Sequence, residues 1–215
     1  PMIISLKKRI KFLIFCLIIL LKINSAEAQS IPSFVQDVFD NIYNKMSTKS
    51  NSIKKPKLYI ANDDKEVARY YNIKNEIHIG QNFINLARNF KKDSCNVIAH
   101  ILGHELAHVL LQQSKMINEI GSGYASKEFD KTLKRTKNSL IDSIFERQAD
   151  EYSFFYSQIA GYRTYDIAPK ILDSIYLIWG FQDSDLKRYP TLKERKEIAT
   201  KSGHKMKILK KIFDV

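Results

Sequence analysis

The sequence contains little cysteine, with only Cys16 and Cys95 among its 215 residues. Cys16 lies in an N-terminal segment that we expect to be removed, so the remaining chain can form no internal disulfide. An exported domain without a disulfide depends on its hydrophobic core and on any metal ion that it binds. Internal repeats and low-complexity tracts are also absent. We therefore predict one globular domain, in which Cys95 is a small buried apolar residue.

A basic start precedes the unbroken apolar run Phe12–Leu21. Ten apolar residues are too few to cross a bilayer, which takes about 20. Ala26 and Ala28 then supply small residues two positions apart, as at a signal-peptidase site. The pattern predicts a secretory signal peptide over 1–28, a domain over 29–215, and a periplasmic or secreted protein. The alternative is an N-terminal membrane anchor; a lipoprotein is disfavoured because Phe15, and not a small residue, precedes Cys16.

The chain is basic, with a formal net charge of +12. Much of this charge lies in two runs, Lys127–Lys137 and Lys187–Lys211. Neither run interleaves aromatic residues in the manner of a surface that stacks nucleic-acid bases. We therefore expect no nucleic-acid partner, and a solvated basic face that favours peripheral association with an anionic membrane surface.

The apolar periodicity predicts a mainly helical α+β fold with a small antiparallel sheet. Short alternating segments at 57–61 and 76–80 predict strands, and His78 on the second is expected at the surface or sheet edge and not as a metal ligand. A Thr191/Glu194 capping box begins the last predicted helix. Helices are predicted over 31–49, 139–160, 166–179 and 191–201. A further helix is predicted to start near Ser94 and to run past residue 110.

The sequence His104-Glu105-Leu106-Ala107-His108 lies within the helix that starts near Ser94. Residues four apart share one helix face, so His104 and His108 can converge on one metal ion while Glu105 reaches a water beside it. His100 lies a further turn away, and three histidines at this spacing span about 12 Å, too far for one ion. We therefore expect His100 to be a core residue or a neighbour of the ligands. The alternative is an ordinary helix with two solvated or packed histidines.

A catalytic zinc ion takes three protein ligands and leaves one position open. No further histidine follows His108 closely, and His204 is far along the chain. The best candidate is Glu146, which shares a helix face with Asp150. We predict one Zn2+ per chain, held by His104, His108 and Glu146. Asp150 is expected to hold the other ring nitrogen of a ligand histidine. The alternative is that both acids are solvated.

Together these motifs resemble the HtpX-like and CAAX prenyl endopeptidase family of zinc metallopeptidases. The resemblance covers about residues 70–200 and implies a zincin-like fold and metal-dependent endopeptidase activity, often in membrane or envelope protein quality control. The matching segments are 104–108, 146–150, Ala160-Gly161-Tyr162, the C-terminal segment 189–195, and Asn75–Ile84, which resembles the edge strand beside the family's active site.

The chain departs from the family at Tyr189, where the family usually has a histidine that stabilises the transition state. A tyrosine hydroxyl can donate a hydrogen bond to an oxyanion, so Tyr189 is the candidate donor; the alternative is a packed tyrosine. Arg195 matches the family's arginine and is expected to pair with an acid near the site, or else to be a solvated helix charge.

We therefore expect a zinc-dependent endopeptidase in which Glu105 is the general base and an extended or misfolded polypeptide binds along the strand at 76–80. Two other functions fit the residues. One is a non-catalytic, metal-stabilised polypeptide-binding or chaperone module. The other is a cytoplasmic regulatory peptidase linked to a repressor, which the predicted export signal disfavours. The polar segment 114–138 is either a flap near the cleft or a loose connection.

Overall fold

Six α-helices and a three-stranded sheet account for most of what the computed structural model describes, residues 30–48, 53–121, 139–182 and 190–213. The fold class is mainly helical α+β. The predicted signal peptide, Tyr189 and 122–138 lie outside the described residues. The elements are α1 (Ser33–Ser47), β1 (Lys57–Ala61), β2 (Ala68–Tyr71), β3 (Glu76–Gly80), α2 (Gln81–Asn89), α3 (Ser94–Gly121), α4 (Ser139–Ile159), α5 (Thr164–Trp179) and α6 (Leu192–Phe213).

The sheet is mixed, and the prediction of an antiparallel sheet was wrong. Its strand order is β1-β3-β2, with β1 parallel and β2 antiparallel to β3. The strand β2, which the sequence pattern did not indicate, lies between the two predicted strands along the chain and forms a hairpin with β3. Consequently β3 is the central strand, and the resemblance of Asn75–Ile84 to an edge strand is not reproduced. Both edges of β3 are occupied, so a substrate cannot add to it.

The inner face of the sheet packs on α1, α2 and α3. Ile77 and Ile79 of β3 are fully buried, as are Phe39 of α1 and Phe83 of α2. The helix α3 passes through the middle of this core, which explains why most residues around its histidines are apolar. The core therefore fixes the helix that carries the metal motif.

Several boundaries differ from the sequence prediction. The helix α3 continues to Gly121, so the first part of the predicted flap or connection is helical, and α6 runs to Phe213. Cys95 is exposed, and its prediction as a buried residue was wrong, because it lies on the solvent side of the first turn of α3. Among the described helices, none combines the length and the apolar character that a bilayer crossing requires.

We expect Phe83→Ala to lower the free energy of unfolding by about 3–5 kcal/mol, because it removes a fully buried aromatic side chain from the contact between α2 and the sheet. Urea or guanidinium denaturation measures this change. The matched control is Ile73→Ala in the β2–β3 turn, where the side chain is fully exposed and the expected change is within about 0.5 kcal/mol. Equal effects of the two substitutions would contradict the packing described here.

Candidate metal centre

The site begins with the two histidines of α3. His104 is buried and His108 is half-buried, and their Nε2 atoms lie 3.1 Å apart. The four-residue spacing places the rings one turn apart on the same helix face, with centroids 4.7 Å apart. Both imidazoles therefore direct a nitrogen at one point.

The neighbouring helix α4 brings Glu146 to the same point. One carboxylate oxygen, Oε2, lies 3.1 Å from His104 Nε2, and the other, Oε1, lies 3.4 Å from His108 Nε2. The candidate ligand atoms of the three residues all lie within 4.8 Å of one another. His104, His108 and Glu146 can thus hold one metal ion.

The hydrogen bond that His104 makes through Nδ1 determines which ring nitrogen carries the proton in the neutral ring. His104 Nδ1 lies 2.9 Å from Asp150 Oδ1, and an ionised carboxylate can only accept a hydrogen bond. In the neutral ring the proton is therefore on Nδ1, which leaves the lone pair of Nε2 directed at His108 and Glu146. Two imidazole nitrogens and one carboxylate converge on one point, a donor set that fits a metal cation once His104 has lost its second proton.

Asp150 is buried and is held from its other side by Arg195 of α6. The guanidinium donates to both carboxylate oxygens, from Nε at 2.9 Å and from Nη2 at 2.7 Å. Burial alone would raise the pKa of Asp150, but the charge of Arg195 and the hydrogen bond with His104 hold it well below its usual range. The carboxylate therefore stays ionised and orients the His104 ring, a role that outer carboxylates commonly have at metal sites.

The close approach of α3 and α4 depends on Gly103, which the sequence analysis did not single out. A Cβ at this position would lie 2.7 Å from Ser157 Oγ and 2.8 Å from Ser153 Oγ. These two hydroxyls donate to the carbonyl oxygens of Ala99 and His100 on α3. No local pattern in the sequence indicates this contact, because the serines are far from α3 along the chain. It brings the backbone of α4 close enough for Glu146 to reach the histidines.

The first turn of α6 is also anchored to α4. The Thr191/Glu194 capping box is present: the Thr191 backbone N–H donates to Glu194 Oε2 at 2.8 Å, and the Glu194 N–H donates to Thr191 Oγ1 at 3.2 Å. Glu194 also accepts a hydrogen bond from Arg147 at 3.0 Å. Arg195 is the next residue, so the cap sets where its guanidinium meets Asp150.

The other candidate residues occupy different places. Glu105 is buried beside His104 and has no hydrogen-bond partner within the described residues. His100 is fully buried, stacks on Phe154, and its burial lowers its pKa to about 3. His78 lies on the face of the sheet away from the core, 3.1 Å from Glu76, and His204 is exposed on α6. The structure therefore separates these last three histidines from the ligand cluster.

Comparisons of the chain with family models, with curated proteins and with solved structures find no match.

We expect His104→Ala, His108→Ala and Glu146→Ala each to lower Zn2+ affinity more than about 100-fold, because each removes one converging donor. Asp150→Asn should lower Zn2+ affinity about 10- to 100-fold, since it removes only the charge that orients His104. Competition with a chromophoric chelator measures these affinities. The matched control, His78→Ala, removes a histidine outside the cluster and should leave the affinity unchanged. Equal loss in the control would contradict the assignment.

Metal binding is expected to release protons. Burial alone would lower the pKa of His104, but its hydrogen bonds with Asp150 and Glu146 raise it to about 10 in the metal-free protein. The ring is therefore protonated at neutral pH and must lose a proton to bind a metal. Zn2+ affinity should rise about tenfold per pH unit between about pH 6 and 8. Calorimetry in buffers of different ionisation enthalpy counts the released protons; pH-independent affinity with no proton release would refute this expectation.

Proposed function

We propose that this chain is a zinc-dependent endopeptidase of the zincin-like type. The observation that carries the proposal is the convergence of His104, His108 and Glu146, with Glu105 following the first ligand on the same buried helix. Metal-binding sites without catalysis do not require an acid at this position. A carboxylate one residue after a ligand histidine is the arrangement with which such sites activate water.

Zinc, when bound by His104, His108 and Glu146, would supply a Lewis acid that lowers the pKa of water and polarises a peptide carbonyl. Glu105 then acts as the general base. It accepts the proton of the attacking water and passes it to the amine that leaves when the peptide bond breaks. Burial of Glu105 excludes competing solvent and keeps the proton transfer within the site. Asp150 and Arg195 keep His104 oriented throughout.

The sheet supports a substrate class. Since β3 is central, the edge strands are β1 and β2; of these, β2 packs beside α3, and its outer edge has no strand partner among the described residues. An extended polypeptide can add to such an edge through backbone hydrogen bonds. Backbone hydrogen bonds discriminate little between side chains, so the proposed substrates are unfolded or extended polypeptides of varied sequence. The predicted signal peptide over 1–28 would export the chain, and the peptidase would then act in protein quality control in the cell envelope.

A second candidate function is a non-catalytic module that binds zinc and extended polypeptide without cleavage. The substitution of tyrosine at 189, where the resembled family usually has histidine, favours it. The two functions share the metal site and differ only in hydrolysis. Zinc binding together with suppression of aggregation, but without cleavage, would select the module.

The decisive variant is Glu105→Gln, which keeps the shape of the side chain and removes its basicity. We expect it to retain Zn2+ and to lose casein cleavage by about 100- to 10,000-fold, the usual contribution of a general base. A chelator should abolish cleavage by the unaltered protein. Glu197→Gln, which removes an exposed acid of α6, is the matched control and should cleave normally. Full cleavage by Glu105→Gln would refute the mechanism.

A further inference from the structure

An apolar cluster lies at the C-terminal end of α5. Its members are consecutive or nearly so, and two are mostly exposed: Leu177 at 83% and Ile178 at 56%. Trp179 is half-buried and packs against the hydrophobic core, and Phe181 is 37% exposed. Single exposed apolar side chains are ordinary, but several together mark a surface that contacts something else. We call these four residues the α5 apolar tip.

The helix cap accounts for only part of this tip. Gly180 adopts φ +67°, and the Phe181 N–H donates to the Tyr176 carbonyl at 3.0 Å, which ends the helix in a left-handed cap. The Phe181 ring packs edge-on against Tyr176, with centroids 5.9 Å apart. Phe181 therefore has a structural role, whereas Leu177 and Ile178 remain exposed and contribute little to the described core.

Lysines lie along the face of α5 and α6 that Leu177 shares. An ion pair between Asp173 of α5 and Lys196 of α6 joins the two antiparallel helices across their solvent side. Leu177 and Lys193 each lie one turn from this pair toward the tip, whereas Lys170 lies one turn from Asp173 in the opposite direction. Neither Lys170 nor Lys193 has an ion-pair partner within the described residues.

The exposed side of α6 continues the positive charge away from the tip. Its only exposed acid among the described residues is Glu197, and its exposed lysines are Lys193, Lys201, Lys205 and Lys207. The whole chain carries a net charge of +12. An apolar tip with lysines along the adjoining face of α5 and α6 is complementary to a surface that has anionic groups above an apolar layer.

We propose that the α5 apolar tip inserts into the interface of an anionic lipid bilayer while the lysines of α5 and α6 contact the headgroups. Leucine and isoleucine supply apolar area, and an indole is well suited to the boundary between headgroups and acyl chains. The proposal does not depend on peptidase activity. In a chain that is also a peptidase, insertion of the tip would confine cleavage to polypeptides near a membrane surface.

The tip contains its own reporter, because Trp179 is the single tryptophan of the chain. The full chain is mixed with phosphatidylglycerol-containing vesicles or with pure phosphatidylcholine vesicles, and Trp179 emission is recorded. We expect a blue shift with anionic vesicles, quenching by lipids brominated in the acyl chains, and weakening of both by salt. This readout distinguishes insertion of the tip from attachment through the N-terminal apolar run, which contains no tryptophan.

The test variant is the double substitution Leu177→Asp with Ile178→Asp, and the control is Ile73→Asp, at a fully exposed apolar residue of the β2–β3 turn. The double variant should need about tenfold or more anionic lipid for half of the Trp179 shift, while the control behaves as the unaltered protein. Circular dichroism and thermal unfolding check that both variants fold.

Two results would overturn the proposal. One is sedimentation with anionic vesicles while Trp179 stays unquenched, which would assign attachment to another segment. The other is Trp179 emission that stays unchanged with anionic vesicles, which would mean that the tip does not enter the bilayer. Sedimentation velocity over a range of concentrations would then show whether a second copy covers the tip.

Discussion

The carboxylate of Asp150 is the contact on which the site depends. It lies on α4, accepts two hydrogen bonds from Arg195 of α6, and orients His104 of α3. A buried charge is costly unless it is paired and hydrogen-bonded, and here both oxygens are satisfied. Removal of either partner would leave the other charge buried and unpaired. The same group therefore joins three helices and sets the direction of one metal ligand.

The distance between α3 and α4 is the second constraint. Glycine within a helix is less favourable than alanine by about 0.5–1 kcal/mol, so Gly103 is explained by packing and not by helix propensity. Its missing side chain admits the hydroxyls of Ser153 and Ser157, which bond to the backbone of α3. With a bulkier residue the helices would separate, and Glu146 would lie farther from His104.

The local patterns of the sequence predicted much of this fold. The bounds of β1 and β3 agree with the alternation at 57–61 and 76–80, and the metal motif lies on a buried helix. The parallel pairing of β1 with β3 was not predictable, because it depends on contacts between segments separated along the chain. The strand β2 was missed because it has only four residues and no alternation of buried and exposed positions. The helix α2 was missed because it is short, half polar, and follows Gly80, which supplies no side-chain cap.

The site shows the same division between local and long-range information. The spacing of His104 and His108 follows from helix geometry and can be predicted from the sequence. Glu146 was a candidate only because two histidines call for a third ligand; its distance from them depends on the packing of α4. The contacts at Gly103 involve residues more than fifty positions apart. Only the folded chain reveals them.

Charge balance supplies an argument for a divalent ion that is independent of the motif. The site gathers the carboxylates of Glu105, Glu146 and Asp150 around two imidazoles, and among the described residues Arg195 is the one guanidinium that enters it. Three carboxylates and one guanidinium leave two formal negative charges in a largely buried space. Burial of this negative charge is energetically unfavourable unless it is compensated, and a dication bound at the ligand atoms would neutralise it. In the metal-free protein protons must take this role, which is why the pKa of His104 rises although burial opposes it.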